Sequence, residues 1–196
     1  MHGMINRGLQ CYIRDIHGVD VWEETCERAK LPFYNFESML SYEDETTEDL
    51  LNHFGLLVNR SRDEILEDFG TYVVSENALS TVRRLLKFGG ETYEEFLQSL
   101  DFVHARAKMA VPDLDIPSME IKRHGPDEYT LYTRFQKRGF GTTLLGLLRS
   151  LADDYNTLVS ITHTRRALRH LDEDVFTIII HHDNIKDCGK LALVTH

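Results

Sequence analysis

Hydrophobic spacing changes period once along this chain, and that change sets what it can fold into. Up to about residue 110, apolar side chains recur every three or four positions, the repeat of a helix with one buried face. Beyond that point they alternate, the repeat of a half-buried strand. Ile5, Leu9, Tyr12, Ile13 and Ile16 form the first helical stripe, stopped by Gly18. Asp20 is expected to N-cap a second helix through Val21, Trp22 and Cys26, ending before Pro32. Thr46 or Thr47 is expected to cap a third, carrying Leu50, Leu51, Phe54 and Leu57, with acidic residues crowding the end that the helix dipole makes positive. Ser61 and Glu64 have the spacing of a capping box, opening a helix with Ile65, Leu66, Phe69 and Tyr72. The stretch TYEEFLQSLDFVHARAKM reads as one more helix, bounded by Gly89-Gly90 and Pro112.

In the second part, MEIKRH and YTLYTRF alternate around GPDE, which predicts a hairpin, and a Leu-rich helix follows from about residue 140 to 154. TLVSITHT and VFTIIIHH are β-branched strands on either side of the polar stretch RRALRHLDED. The expected fold is α+β: a helical N-terminal portion followed by an antiparallel sheet with a packed helix. We read residues 1–182 as one domain and 183–196 as a C-terminal tail. A chain of 196 residues buries roughly 70% of its surface on folding, enough to need no metal or disulfide merely to fold.

Charge and cysteine usage narrow the function. With 32 acidic against 22 basic side chains the net charge is -10, a field that repels phosphate backbones and anionic membranes. Nucleic acid is therefore not an expected partner, and no apolar run of transmembrane length is present. Cys11, Cys26 and Cys188 are odd in number without CxxC spacing, which fits a cytoplasmic protein. No nucleophile elbow, P-loop or metal-hydrolase helix is found, so catalytic turnover is not expected. Asp153-Asp154 and Asp172-Glu173-Asp174 are expected as solvated surface.

One side chain stands out chemically. His104 lies one turn beyond Leu100 on the apolar edge of its helix, flanked by the small Ala105. A neutral imidazole there has room for a flat ligand and is a standard axial donor to heme iron. Spacing alone does not distinguish this from a structural histidine.

The segment LDFVHARAKMAVPDLDIPSMEI, with an LDxxH run followed by Pro112 and Pro117 before a strand, resembles the proximal-histidine region of the heme nitric oxide/oxygen binding (H-NOX) family. MHGMIN, Val21-Trp22, Phe69-Gly70 and the LLGLL at 144–148 occur in the family's order, so the likeness spans about residues 1–180. The resemblance implies heme b as cofactor and His104 as the iron ligand. It also implies that Pro117 presses on the porphyrin and that Ile5 and Leu9 line the distal side. By the same resemblance, nitric oxide opposite His104 weakens the bond to that histidine and lets the heme flatten. The signal then passes to a separate partner such as a histidine kinase or a cyclic-dinucleotide enzyme.

The family's Tyr-x-Ser-x-Arg motif, which holds the heme propionates, has no match in LYTRFQKRGFGTT. Its positions fall on Arg134, Gln136 and Arg138, our preferred register, or on Thr133, Phe135 and Lys137. The first set offers guanidinium and amide donors to carboxylates. On the helix beginning at 140, the distal candidates are Thr142, Thr143, Leu144 and Leu145, with no tyrosine among them. Nitric oxide binds ferrous heme without a hydrogen-bond donor, so this favours it over oxygen. Tyr12 and Tyr72 are the other phenols within reach, on stripes that also read as core.

Overall fold

The computed structural model describes residues 1–75, 89–110, 113, 115–137, 139–167 and 172–182. Pro112, Arg138, Cys188 and the 183–196 tail lie outside them. Helices α1 (Gly3–His17), α2 (Val19–Arg28), α3 (Asp44–Val58) and α4 (Arg62–Val74) open the chain. Ser61 and Glu64 form the expected capping box at the start of α4. Gly18, at φ +97°, ends α1 and also N-caps α2, which moves Asp20 from the cap into the first turn. Helix α3 starts at Asp44, earlier than a Thr46 or Thr47 cap would allow. Thr47 is 2% exposed and donates its hydroxyl to Asn6 Oδ1 at 2.8 Å, so it bridges two helices instead of capping one.

The stretch expected as a single helix over 92–109 is broken. Helix α5 (Tyr93–Ser99) passes through a 3₁₀ turn, Leu100–Phe102, into α6 (Val103–Ala110). Two demands tighten that turn. Leu100 is buried, and the Asp101 carboxylate accepts the backbone amide of Ile121 at 2.8 Å, which ties the turn to the sheet.

Strands β1 (Ser118–Arg123), β2 (Glu128–Phe135), β3 (Leu158–Ala167) and β4 (Asp172–His181) form an antiparallel sheet in the order β1-β2-β4-β3. The fold is α+β, with the Leu-rich helix α7 (Phe140–Asp154) packed on the sheet. Strands β3 and β4 run further than expected, into the polar stretch between them. Arg165 and Arg166 stand opposite Asp174 and Glu173 in that register; Arg165 pairs with Asp174 across the ladder, while Glu173 pairs with Arg134 of β2. Glu173 and Asp174 are correspondingly buried, at 8% and 5% exposure, rather than solvated.

Apolar side chains gather into two clusters. One joins α1–α4 around Leu9, Ile13, Trp22 and Phe54; the other joins α5, α7 and the sheet around Phe96, Leu100, Leu148 and Phe176. Cys26 is fully buried in the first, where burial above all, with Glu23 nearby, pushes its thiol up to about 12. That keeps it protonated and unreactive.

Helices α4 and α7 connect the clusters at unusually short range. A Cβ on Gly70 would overlap the Thr143 carbonyl oxygen, and one on Gly146 would overlap the Glu67 carbonyl oxygen. Arg149 of α7 also donates to Glu67 of α4. Replacing Gly146 by Ala must push backbone from backbone, with no side chain free to yield. Gly146→Ala is expected to lower unfolding free energy by about 1–3 kcal/mol, measured by urea denaturation, whereas Ala at half-buried Gly125, where a Cβ would meet only Glu128 Cβ at 3.9 Å, stays near the native value.

Candidate functional site

Between the two clusters lies a cavity of about 760 Å³, inside the usual range for cofactor pockets of about 300–1,000 Å³. Helical periodicity builds its apolar walls. Ile5 and Leu9 project from one face of α1, and Leu66, Phe69 and Val73 from one face of α4. Phe140, Thr143 and Leu147 come from α7, packed beside α4, and Phe135 meets Phe140 edge to face. Ile116 and Pro117, just before β1, complete the lining.

One part of the rim is charged. Arg62, Lys137 and Arg165 border the cavity, each beside a carboxylate: Glu48 at 2.8 Å, Asp44 at 2.9 Å and Asp174 at 3.4 Å. Asp63 and Asp115 border it as well. Asp174 is the most buried of these acids, and it sits so close to α7 that a Cβ on Gly141 would overlap its carboxylate. It also receives His163 Nε2 at 2.7 Å, while the His163 ring stacks on Phe176. Burial pushes the Asp174 pKa up, but the His163 hydrogen bond and charge, together with the Arg165 guanidinium, outweigh it and hold the group below the ordinary carboxylate range.

Ile5, Leu9, Pro117 and Gln136, of the residues expected to form a site, line this cavity. His104 does not. Its ring is exposed on α6, with Nδ1 3.4 Å from the carbonyl oxygen of buried Pro117. Leu144 and Leu145 face the sheet-side cluster, while Thr143 and Leu147 face the cavity from the other side of α7. Arg134 is also outside the lining and donates to Glu173 Oε1 at 2.8 Å. Of the alternative register, Phe135 and Lys137 line the cavity, while Thr133 is buried with no partner for its hydroxyl oxygen among the described residues. Tyr12 and Tyr72 lie in the helical cluster, with the Tyr72 hydroxyl donating to Asp15. Arg62 and Arg165 went unmarked in the sequence because a first-turn arginine and a strand-end arginine both read locally as surface charge.

A family model described as Haem-NO-binding matches residues 2–163. The chain belongs to the haem-NO-binding family. It is 23% identical over 155 residues to soluble guanylate cyclase 89Da of Drosophila melanogaster, which covers 79% of this chain and 23% of that protein. It is 24% identical over 177 residues to soluble guanylate cyclase gcy-35 of Caenorhabditis elegans, covering 88% and 26%. The chain thus spans about a quarter of the length of the curated relatives it matches. Among solved structures it resembles a mutant of Cs H-NOX (TM-score 0.80, 16% identity, 94% of this chain and 98% of that one). It also resembles the Fe(II) unliganded H-NOX protein from K. algicida (TM-score 0.78, 17% identity, 94% and 98%). At these identities the likeness is one of fold.

The residues present suit the cofactor that the haem-NO-binding family takes. A flat apolar macrocycle with carboxylate arms needs an apolar slot with cations at one end, and this cavity has both. Among the described residues no helix is long and apolar enough to cross a membrane.

The buried Asp174 makes a test of the rim. With its folded pKa depressed, its stabilisation is complete above the ordinary carboxylate range and is lost as pH falls through the folded value. Asp174→Asn is expected to cost about 3 kcal/mol at pH 7 in urea unfolding and to flatten the decline of stability below about pH 4.

Proposed function

We propose that residues 1–182 form a heme-based gas sensor, with ferrous heme b in the cavity, His104 as its proximal ligand and nitric oxide as its gas ligand. The observation that carries the ligand assignment is the partner of His104. A carbonyl can only accept, so a hydrogen bond across the 3.4 Å between Nδ1 and the Pro117 oxygen would hold the ring proton on Nδ1 and leave the Nε2 lone pair for a metal. Held by His104, a bound heme would supply an iron able to take a diatomic gas.

The chain's own residues account for the rest. Pro117 borders the cavity and also orients the imidazole, so pressure on its ring is felt at His104. Ile5 and Leu9 offer an apolar wall with no donor. Among the described residues, the threonine hydroxyls on the lining are both engaged, Thr47 to Asn6 Oδ1 and Thr143 to the Gly139 carbonyl at 3.3 Å. Neither of these hydroxyls would be free to donate to an oxygen ligand, and the Ile5 and Leu9 wall adds no donor, which favours nitric oxide on that side of the cavity. The ligand state would be read by a separate signalling protein, a histidine kinase or a cyclic-dinucleotide enzyme being the kind the family resemblance implies.

The exposure of His104 favours a second reading, in which the module binds another tetrapyrrole or none and acts by protein interaction alone. An absorption spectrum separates the two. On the sensor reading, the purified chain reconstituted with heme retains it stoichiometrically, its reduced Soret band shifts with nitric oxide, and air gives no persistent oxygen complex. His104→Ala then alters the ferrous spectrum before any gas is added. Failure of the native chain to hold heme leaves the second reading.

A further inference from the structure

Among the described residues, three cationic side chains border the cavity, and they are not equally committed. Arg62 donates twice to Glu48, at 3.2 and 2.8 Å, and Lys137 donates to Asp44 at 2.9 Å. Arg165 is held differently. Its nearest approach to a carboxylate is 3.4 Å, through Nε, and the oxygen it approaches, Asp174 Oδ1, already takes a 2.7 Å hydrogen bond from His163. Among the described residues its two terminal nitrogens make no hydrogen bond or ion pair. Asp174, for its part, lies against the first turn of α7, where the helix dipole favours negative charge. The acid is therefore compensated without the full guanidinium, and a guanidinium with a free fork stands at the edge of an apolar cavity.

A planar fork of two parallel N–H donors matches one ligand chemistry best, a carboxylate held bidentately. Arg134, the strand β2 arginine that sequence reading assigned to this task, has its Nε on Glu173 and does not border the cavity. We propose that Arg165, on β3, binds a carboxylate arm of the tetrapyrrole in this cavity, so that the anion anchor comes from a different strand than the one carrying the motif positions. This rests on the tetrapyrrole reading above. Lys137, three residues before the first turn of α7, stands ready to take a second carboxylate in exchange for Asp44.

The test uses the full chain loaded with iron protoporphyrin, following transfer of the porphyrin to excess apomyoglobin. A charge-assisted contact predicts that Arg165→Met releases heme about 10- to 100-fold faster than the native chain. Arg165→Lys should fall between them, and Arg166→Met, next to it on β3 but outside the lining, should match the native rate. Circular dichroism checks that each variant is folded. Should Arg165→Met not fold, Arg165→Lys carries the comparison. The dimethyl ester of the same porphyrin, which lacks the anionic arms, should leave native protein and Arg165 variants at one common rate. Equal heme release from the native chain and both Arg165 variants overturns the assignment and leaves the heme reading intact. A native chain that holds neither iron protoporphyrin nor the iron-free diacid overturns both.

Discussion

The contact on which the structure depends is the backbone-to-backbone approach of α4 and α7. Gly70 and Gly146 each remove the one side-chain atom that would hold the helices apart, and the carbonyls of Thr143 and Glu67 occupy the space. That approach joins two hydrophobic clusters that are otherwise built separately, one from helices and one from helix and sheet. It also fixes the cavity, because Leu66, Phe69 and Val73 on one helix and Phe140, Thr143 and Leu147 on the other line its walls. A cavity bounded by two helices with no slack between them keeps its width, since close-packed interiors resist compression.

A second fixed point lies at the base of α7. Asp174 is buried between the sheet and the first turn of that helix, with His163 and Arg165 reaching it from the neighbouring strand. Buried carboxylates persist only when paired and hydrogen-bonded; this one joins β4 to β3 at a single oxygen, with α7 packed closely over it. The rim of the cavity is therefore attached to the sheet through charge, while its walls are attached through packing.

Much of this was legible in the sequence, and the exceptions share a cause. The helices, the hairpin, the Ser61 capping box and the α+β order followed from hydrophobic period and turn chemistry, which are local. Ile5, Leu9 and Pro117 were expected at a site and do line the cavity. What misled were residues whose partners are distant in sequence. Thr47 reads as a cap until Asn6 is beside it, and Asp174 reads as surface until α7 covers it. The 3₁₀ break before His104 depends on an Asp101 contact with β1, which no helical period announces. Leu144 and Leu145, expected on the ligand side of their helix, pack into the sheet-side cluster instead, because a stripe that is apolar nearly all round does not say which face meets which neighbour.

The ion pairs at the rim also bind α3 to its surroundings. Glu48 fastens it to α4 through Arg62, and Asp44 fastens its first turn to the loop after β2 through Lys137. Any anion that engages those two cations competes with α3 for the same nitrogens. Reciprocity then holds in both directions: whatever loosens α3 raises the rim's affinity for the anion, and an anion that binds there frees α3 by the same factor.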